Sequence, residues 1–226
     1  MAAIILLNGK TYIKGIAAGN VTITAKQAGS DKYLTATDLT KTITVEKLSQ
    51  ALTWDQTIAP IKIDEQTELT ATTTSGLAIT YESGNPAVAT IIQLNGKAYI
   101  KGIAAGNVTI TAKQAGSDKY GDAPSLTKSV TITKVEQTLT WNQTITPVSI
   151  GSEVLLTATS SSGLATIYTS SNPEIATIEA RGNTTVVKGM KAGDATITAV
   201  QSGNEKYLPT ESLTKGVSVI KLPQVS

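Results

Sequence analysis

The chain has no cysteine, no histidine and no phenylalanine. Without thiols there are no disulfides and no thiolate metal sites; without imidazole the commonest general base and metal ligand is missing. Aromatic residues make up 4% of the 226 residues and charged residues 16%, so large aromatic platforms and dense charge clusters are both scarce. The longest apolar run, Ala2 to Leu7, is too short to cross a membrane. It also lacks the basic flank and small-residue cleavage site of a signal peptide. It reads instead as a strand, and membrane insertion is not expected. Net charge is +2. Residues 1–47 carry six lysines against three acids, residues 48–134 seven against seven, and residues 135–221 six basic residues against seven acids. No segment has the basic face that nucleic acid or an anionic membrane requires.

What the chain does have is threonine, valine and isoleucine, side chains that suit a pleated, half-buried surface better than a helix. It also has a period of 87 residues. The block NGKTYIKGIAAGNVTITAKQAGSDKY at 8–33 returns at 95–120 with one change, Thr11 to Ala98, and a looser copy ends at Tyr207. Lys14, Lys101 and Lys188 keep the spacing, as do Trp54 and Trp141. A fixed period of this kind marks modules strung along a chain. It divides the sequence into a partial repeat at 1–47, whole repeats at 48–134 and 135–221, and the start of a further linker or repeat at 222–226.

Within 48–134 the pattern is that of short strands. Ala51-Leu52-Thr53-Trp54 opens one, and Pro60 interrupts it before Ile61-Lys62-Ile63; proline cannot donate to a ladder, so this is an edge strand or a break between two short strands. Glu68 to Thr72 alternates before the Ser75-Gly76 turn, and Ile79 to Glu82 alternates before Asn85-Pro86. Val88 to Leu94 closes on Asn95-Gly96, a strong hairpin signal. Val108 to Lys113 is the cleanest alternation, predicting Val108, Ile110 and Ala112 inside and Thr109, Thr111 and Lys113 outside. Val130 to Thr133 closes the repeat. About seven strands with frequent turns, and no apolar period of 3.6, predict an all-β fold of tandem immunoglobulin-like Greek-key sandwiches, about two and a half units. The linkers at 47–50, 134–137 and 221–224 are short and free of Gly/Ser runs, which predicts a semi-rigid array.

The run Gly15-Ile-Ala-Ala-Gly19-Asn-Val-Thr-Ile-Thr-Ala25 resembles the signature of bacterial immunoglobulin-like domains of group 2 and the related MBG-type repeats. So do the stretches from Ser75 to Pro86 and from Ser162 to Pro173, and the Gln-x-Leu-Thr-Trp entries at Gln50 and Gln137. The resemblance covers almost the whole chain. It implies tandem modules of large bacterial surface or secreted proteins, or of phage virions, and it implies neither an enzyme nor a cofactor.

The candidates for ligand contact are Trp54, Trp141, Tyr120 and Tyr207. In a row and exposed, the tryptophans would stack on sugar rings; half-buried, they would pack at a sandwich end. The tyrosines close a Gly-x-x-x-Tyr loop, either lining a groove or pinning the loop by the hydroxyl as in a tyrosine corner. Asp64, Glu65 and Glu68 cluster before a strand, and Asp118 and Asp122 flank Tyr120. Neither group has the alternating acids of a calcium loop, and Asp64-Glu65 becomes Gly151-Ser152 one period on, so no repeated metal site and no catalytic residues are expected. Triplets such as Asn142-Gln-Thr144 match a glycosylation acceptor, but chance supplies them in so threonine-rich a chain. Met1 aligns with Val88 and Ile175. Residues 1–47 therefore hold only the later strands of a unit, and the face of Val21, Ile23 and Ala25 is expected to seek a protein partner or a second copy. A spacer of an extracellular bacterial surface protein, a phage decoration protein, and a module gripping glycan or host protein are the three readings.

Overall fold

The computed structural model describes residues 1–223. Among them there is no helix, and 22 strands carry the chain. Residues 1–47 form two antiparallel hairpins. The first pairs β1 (Ala2–Leu7) with β2 (Lys10–Gly15), and the second pairs β3 (Gly19–Ala25) with β4 (Leu39–Val45).

The second repeat contributes nine strands: β5 (Leu52–Thr53), β6 (Ile61–Lys62), β7 (Gln66–Glu68), β8 (Thr72–Thr73), β9 (Thr80–Ser83), β10 (Ala89–Leu94), β11 (Lys97–Gly102), β12 (Gly106–Gln114) and β13 (Ala123–Thr133). They sort into one layer of β10-β11-β7 with the pair β5-β8, and another in the order β6-β13-β12-β9. Pro60 does split the entry strand, as its missing donor requires: β5 joins β8 in one sheet, while β6 pairs in parallel with β13 in the other. With β5 and β6 taken as one split strand, and β7 and β8 as another, the first, second, fifth and fourth strands share a layer. The third, sixth and seventh share the other. That is the strand order of a seven-strand immunoglobulin-like sandwich.

The third repeat reproduces it with β14 (Leu139–Thr140), β15 (Val148–Ser149), β16 (Glu153–Leu155), β17 (Thr159–Ser160), β18 (Ile167–Ser170), β19 (Ala176–Arg181), β20 (Thr184–Gly189), β21 (Gly193–Val200) and β22 (Leu213–Ile220). The register repeats as well. Ile110 opposite Ser83 becomes Ile197 opposite Ser170, Tyr99 opposite Glu68 becomes Val186 opposite Leu155, and the bridge from Leu48 to Tyr120 becomes one from Val135 to Tyr207. The same alternation and the same turn spacing impose the same pairing, because a slip of one residue would turn each apolar face outward.

The core of the third repeat lies between its layers. Leu156, Ala176 and Val187 from one meet Ala195, Ile197, Ala199, Val217 and Val219 from the other, with Trp141 among them. In the second repeat Val108, Ile110 and Ala112 are buried, while Thr109 and Lys113 face out. Thr111, expected outside, is half-buried. β13 runs seven residues further back than the predicted Val130–Thr133, since Ala123 to Ser129 is too polar to show a strand in sequence yet pairs along its neighbour.

Contacts between α-carbons divide the chain into two compact units. One is Met1–Ala59 with Gln66–Lys101 and Asn107–Val130; the other is Pro60–Glu65 with Gly102–Gly106 and Thr131–Ser226. This division cuts through the second repeat and differs from the sequence period.

Candidate functional site

Trp54 and Trp141 are buried, at 5% and 6% exposure. Each indole Nε1 donates to a glutamine two residues on, Gln56 or Gln143, at 3.0 Å. Each ring meets a tyrosine edge-on with centroids 5.6 Å apart, Trp54 on Tyr81 and Trp141 on Tyr168. A lysine ammonium also lies over each indole, Lys128 over Trp54 and Lys215 over Trp141, both at 5.5 Å. Neither tryptophan offers an open face to a sugar, and burial fits the packing reading of these residues. The paired glutamines go on to hold backbone: Gln56 Nε2 donates to the Glu68 carbonyl at 2.6 Å, and its Oε1 accepts from Thr70 N at 3.1 Å.

Tyr120 and Tyr207 are half-buried. Their loops close through backbone, with Ser117 N donating to the Tyr120 carbonyl at 2.9 Å and Asn204 N to that of Tyr207 at 3.0 Å. Each ring carries the preceding lysine, Lys119 at 5.3 Å and Lys206 at 5.4 Å. The tyrosine hydroxyls that pin distant backbone belong elsewhere. Tyr81 Oη accepts from Ala71 N at 2.9 Å and Tyr168 Oη from Ala158 N at 2.7 Å. Burial pushes both phenols above their ordinary value, and the backbone donor only partly offsets it.

A second recurring group is a buried glutamine pair that sequence reading missed. Gln50 Nε2 donates to Gln114 Oε1 and, at 2.5 Å, to the Gly121 carbonyl; Ser75 Oγ donates back to Gln50 Oε1. Gln114 Oε1 also accepts from Gly116 N at 2.6 Å. The third repeat has the same set: Gln137 Nε2 to Gln201 Oε1 at 2.5 Å and to the Leu208 carbonyl at 2.6 Å, with Ser162 Oγ on Gln137 Oε1. Among the described residues no buried side-chain polar atom lacks a partner. The available signal was a glutamine recurring at the 87-residue spacing just ahead of an apolar strand, where a polar residue needs a reason.

The acids stay apart. Glu68 pairs with Lys97 at 2.9 Å, Asp64 with Lys206 at 2.6 Å, and Asp118 and Asp122 are exposed. Among the described residues no group of three His, Cys, Asp or Glu converges, and no helix is long and apolar enough to cross a membrane. The open concavity that recurs is a groove beside the pinning tyrosine, about 490 Å³ in the second repeat and 710 Å³ in the third. Leu77, Ile79, Tyr81 and Lys97 line the first; Leu164, Thr166, Tyr168 and Thr184 stand at the same places in the second. The rims differ: the Glu68–Lys97 pair of the one becomes Leu155, 46% exposed, and Thr184 in the other.

The chain is an all-β protein of tandem immunoglobulin-like sandwiches, on the strand order and register above. No protein family matches it, and neither does any curated protein. Among solved structures it is similar to the S-layer protein rSbsC(31-844), at 20% identity and a TM-score of 0.36, over 100% of this chain and 35% of that one. It is also similar to the titin I-band fragment I67-I69, at 12% identity and 0.35, over 98% and 82%. A third likeness is to the fibronectin(III)-like modules of Clostridium thermocellum CbhA, at 14% and 0.32, over 75% and 94%. The chain thus spans about a third of that S-layer protein, and scores this low leave the fold assignment to the strand order itself.

Proposed function

We propose that the chain is a non-catalytic spacer segment of a bacterial cell-surface or secreted adhesin-like protein, built from group 2-type immunoglobulin-like repeats with folding units at 48–134 and 135–221. One observation carries this reading: a set of polar side chains that recurs at 87 residues holds backbone or one another. Gln50 and Gln137, Gln56 and Gln143, Ser75 and Ser162, Tyr81 and Tyr168 each make a hydrogen bond within their own repeat. What is kept between copies is architecture, and the open surface varies. A spacer needs that combination.

A second reading, a module gripping glycan or host protein, draws on the recurring groove. Its changed rim argues that two copies of one binding site were not retained. A glycan array probed with the whole chain separates the two readings: a saturable signal replaces the spacer with the binder. Melting curves in excess calcium and in chelator are expected to overlay, because an ion bound to the native state would raise its stability. The exposed apolar side chains of residues 1–47, Leu6, Ile13 and Ile16 among them, form a protein-contact surface in this proposal. Light scattering on the chain with and without residues 1–47 tests it, with self-association expected only when they are present.

A further inference from the structure

Within the unit formed by 60–65, 102–106 and the residues from 131 on, two ion pairs of opposite polarity join the end of the second repeat to the start of the third. Asp64 Oδ2 meets Lys206 Nζ at 2.6 Å, and Lys62 Nζ meets Glu136 Oε2 at 3.9 Å. Lys134 Nζ donates to the Asn204 carbonyl at 2.6 Å beside them. Lys206 is also held over the Tyr207 ring, so its ammonium is presented at a fixed place, and the Asp64 carboxylate holds it charged by raising its pKa.

The backbone shows that Asp64 is not incidental. It sits at φ 70, in the left-handed region, where its counterpart in the third repeat is Gly151 at φ 84. An L-residue there is strained relative to glycine, though aspartate tolerates it better than most. The second repeat thus keeps a charged residue where glycine fits best. The neighbouring Lys62 likewise becomes Ser149, and on the facing side Glu136 corresponds to Ser49 while Lys206 corresponds to Lys119. Ile63, between the two charges, is 6% exposed, and its counterpart Ile150 is 37% exposed.

We infer that this surface holds the third repeat in one orientation against the end of the second, through charges matched to that neighbour. The end carrying Lys62 and Asp64 takes a repeat that presents an acid at the linker position and a lysine in its Gly-x-x-x-Tyr loop. Against the head carrying Ser49 and Lys119 one of the two pairs is lost; at an end carrying Ser149 and Gly151 both are. All four partners are partly or largely exposed, so the pairs add little to stability. Opposed charges of this kind act on orientation instead.

The test is independent of the spacer reading, since a glycan binder could carry the same junction and an array signal would leave it untouched. The whole chain is cysteine-free, so Ala104→Cys and Ser202→Cys, both at exposed positions, take spin labels uniquely for pulsed dipolar distance measurement. The parent is expected to give one narrow distance distribution. Asp64→Gly, which relieves backbone strain while removing the charge, should widen it about twofold without lowering the melting temperature, and so should Lys206→Met. Lys62→Glu or Glu136→Lys alone should widen it, and the two together should restore it. Raising salt to about 0.5 M should widen the parent, because exposed pairs are screened. A parent already broad, a width indifferent to Asp64→Gly and Lys206→Met, or a charge-swapped pair no narrower than its singles overturns the inference.

Discussion

Residues 8–33 and 95–120 share each side chain but Thr11 and Ala98, yet they live in different surroundings. Ile13 is 47% exposed where Ile100 is 0%, and Ile23 is half-buried where Ile110 is 0%. The hairpins themselves are the same. β3 and β4 pair Gly19 with Val45 and Val21 with Ile43, the register β21 and β22 repeat with Gly193 on Val219 and Ala195 on Val217. Turn residues and alternation suffice to form the ladder, because both act within one hairpin. Burial needs a second sheet. The second repeat supplies it through β5, β7, β8, β10 and β11, and residues 1–47 contain no counterpart of β5 to β9. The comparison therefore separates local determinants from tertiary ones with sequence held constant.

The largest effect expected is at the buried member of the isoleucine pair. Ile110→Ala should cost about 2–5 kcal/mol in denaturant unfolding, as a cavity in a closed core does, and Ile23→Ala well under about 1 kcal/mol. Similar costs at the two sites would mean that Ile23 is covered in solution, which breaks the comparison. A local feature should behave in the opposite way. Gly116 and Gly29 sit at φ 78 and 81, and a Cβ at either would fall 2.5 or 2.6 Å from the carbonyl oxygen of Tyr120 or Tyr33. Alanine at either is expected to cost about 1–3 kcal/mol, read as lost amide protection in its own loop. If only Gly116 responds, the loop at 29–33 is not formed independently of its surroundings.

The glutamines sharpen the contrast further. Gln114 is 8% exposed within its network, whereas Gln27, its counterpart, is exposed and accepts from Gly29 N at 2.9 Å. Gln114→Ala leaves Gln50 short of a buried partner and should cost about 1–3 kcal/mol; Gln27→Ala should cost only about a few tenths. Equal melting points for the two variants would place the network outside the stability of the fold.

The smallest effect is at high pH. The folded-state pKa of Tyr81 and of Tyr168 lies above the ordinary 10.0. Their contribution is therefore fully present below pH 10.0 and lost as pH rises through the folded value, since the unfolded chain ionises first. Hydrogen exchange at rising pH should show the segments around Ala71 and Ala158 loosening before the hairpins of residues 1–47, which have no counterpart of these tyrosines. A uniform loosening would contradict it.

Strand content, the 87-residue period, the hairpin turns and the inward set Val108, Ile110 and Ala112 were all legible in the sequence, because each depends on neighbours within one or two strands. The extension of β13 back to Ala123 was not, since its polar residues are ordered by the strand they join. The roles of the rings also needed three dimensions. Tyr81 and Tyr168, not Tyr120 and Tyr207, hold distant backbone by their hydroxyls, and the tryptophans lie in the interior. Gln50 and Gln114 are 64 residues apart, and no periodicity joins them. By itself the sequence determined that the chain is built of short strands and where its hairpins turn, because turn chemistry and alternation are local forces. Only the tertiary structure decided which of two nearly identical segments is core and which charges face each other, because burial and ion pairing depend on what the fold brings from elsewhere in the chain.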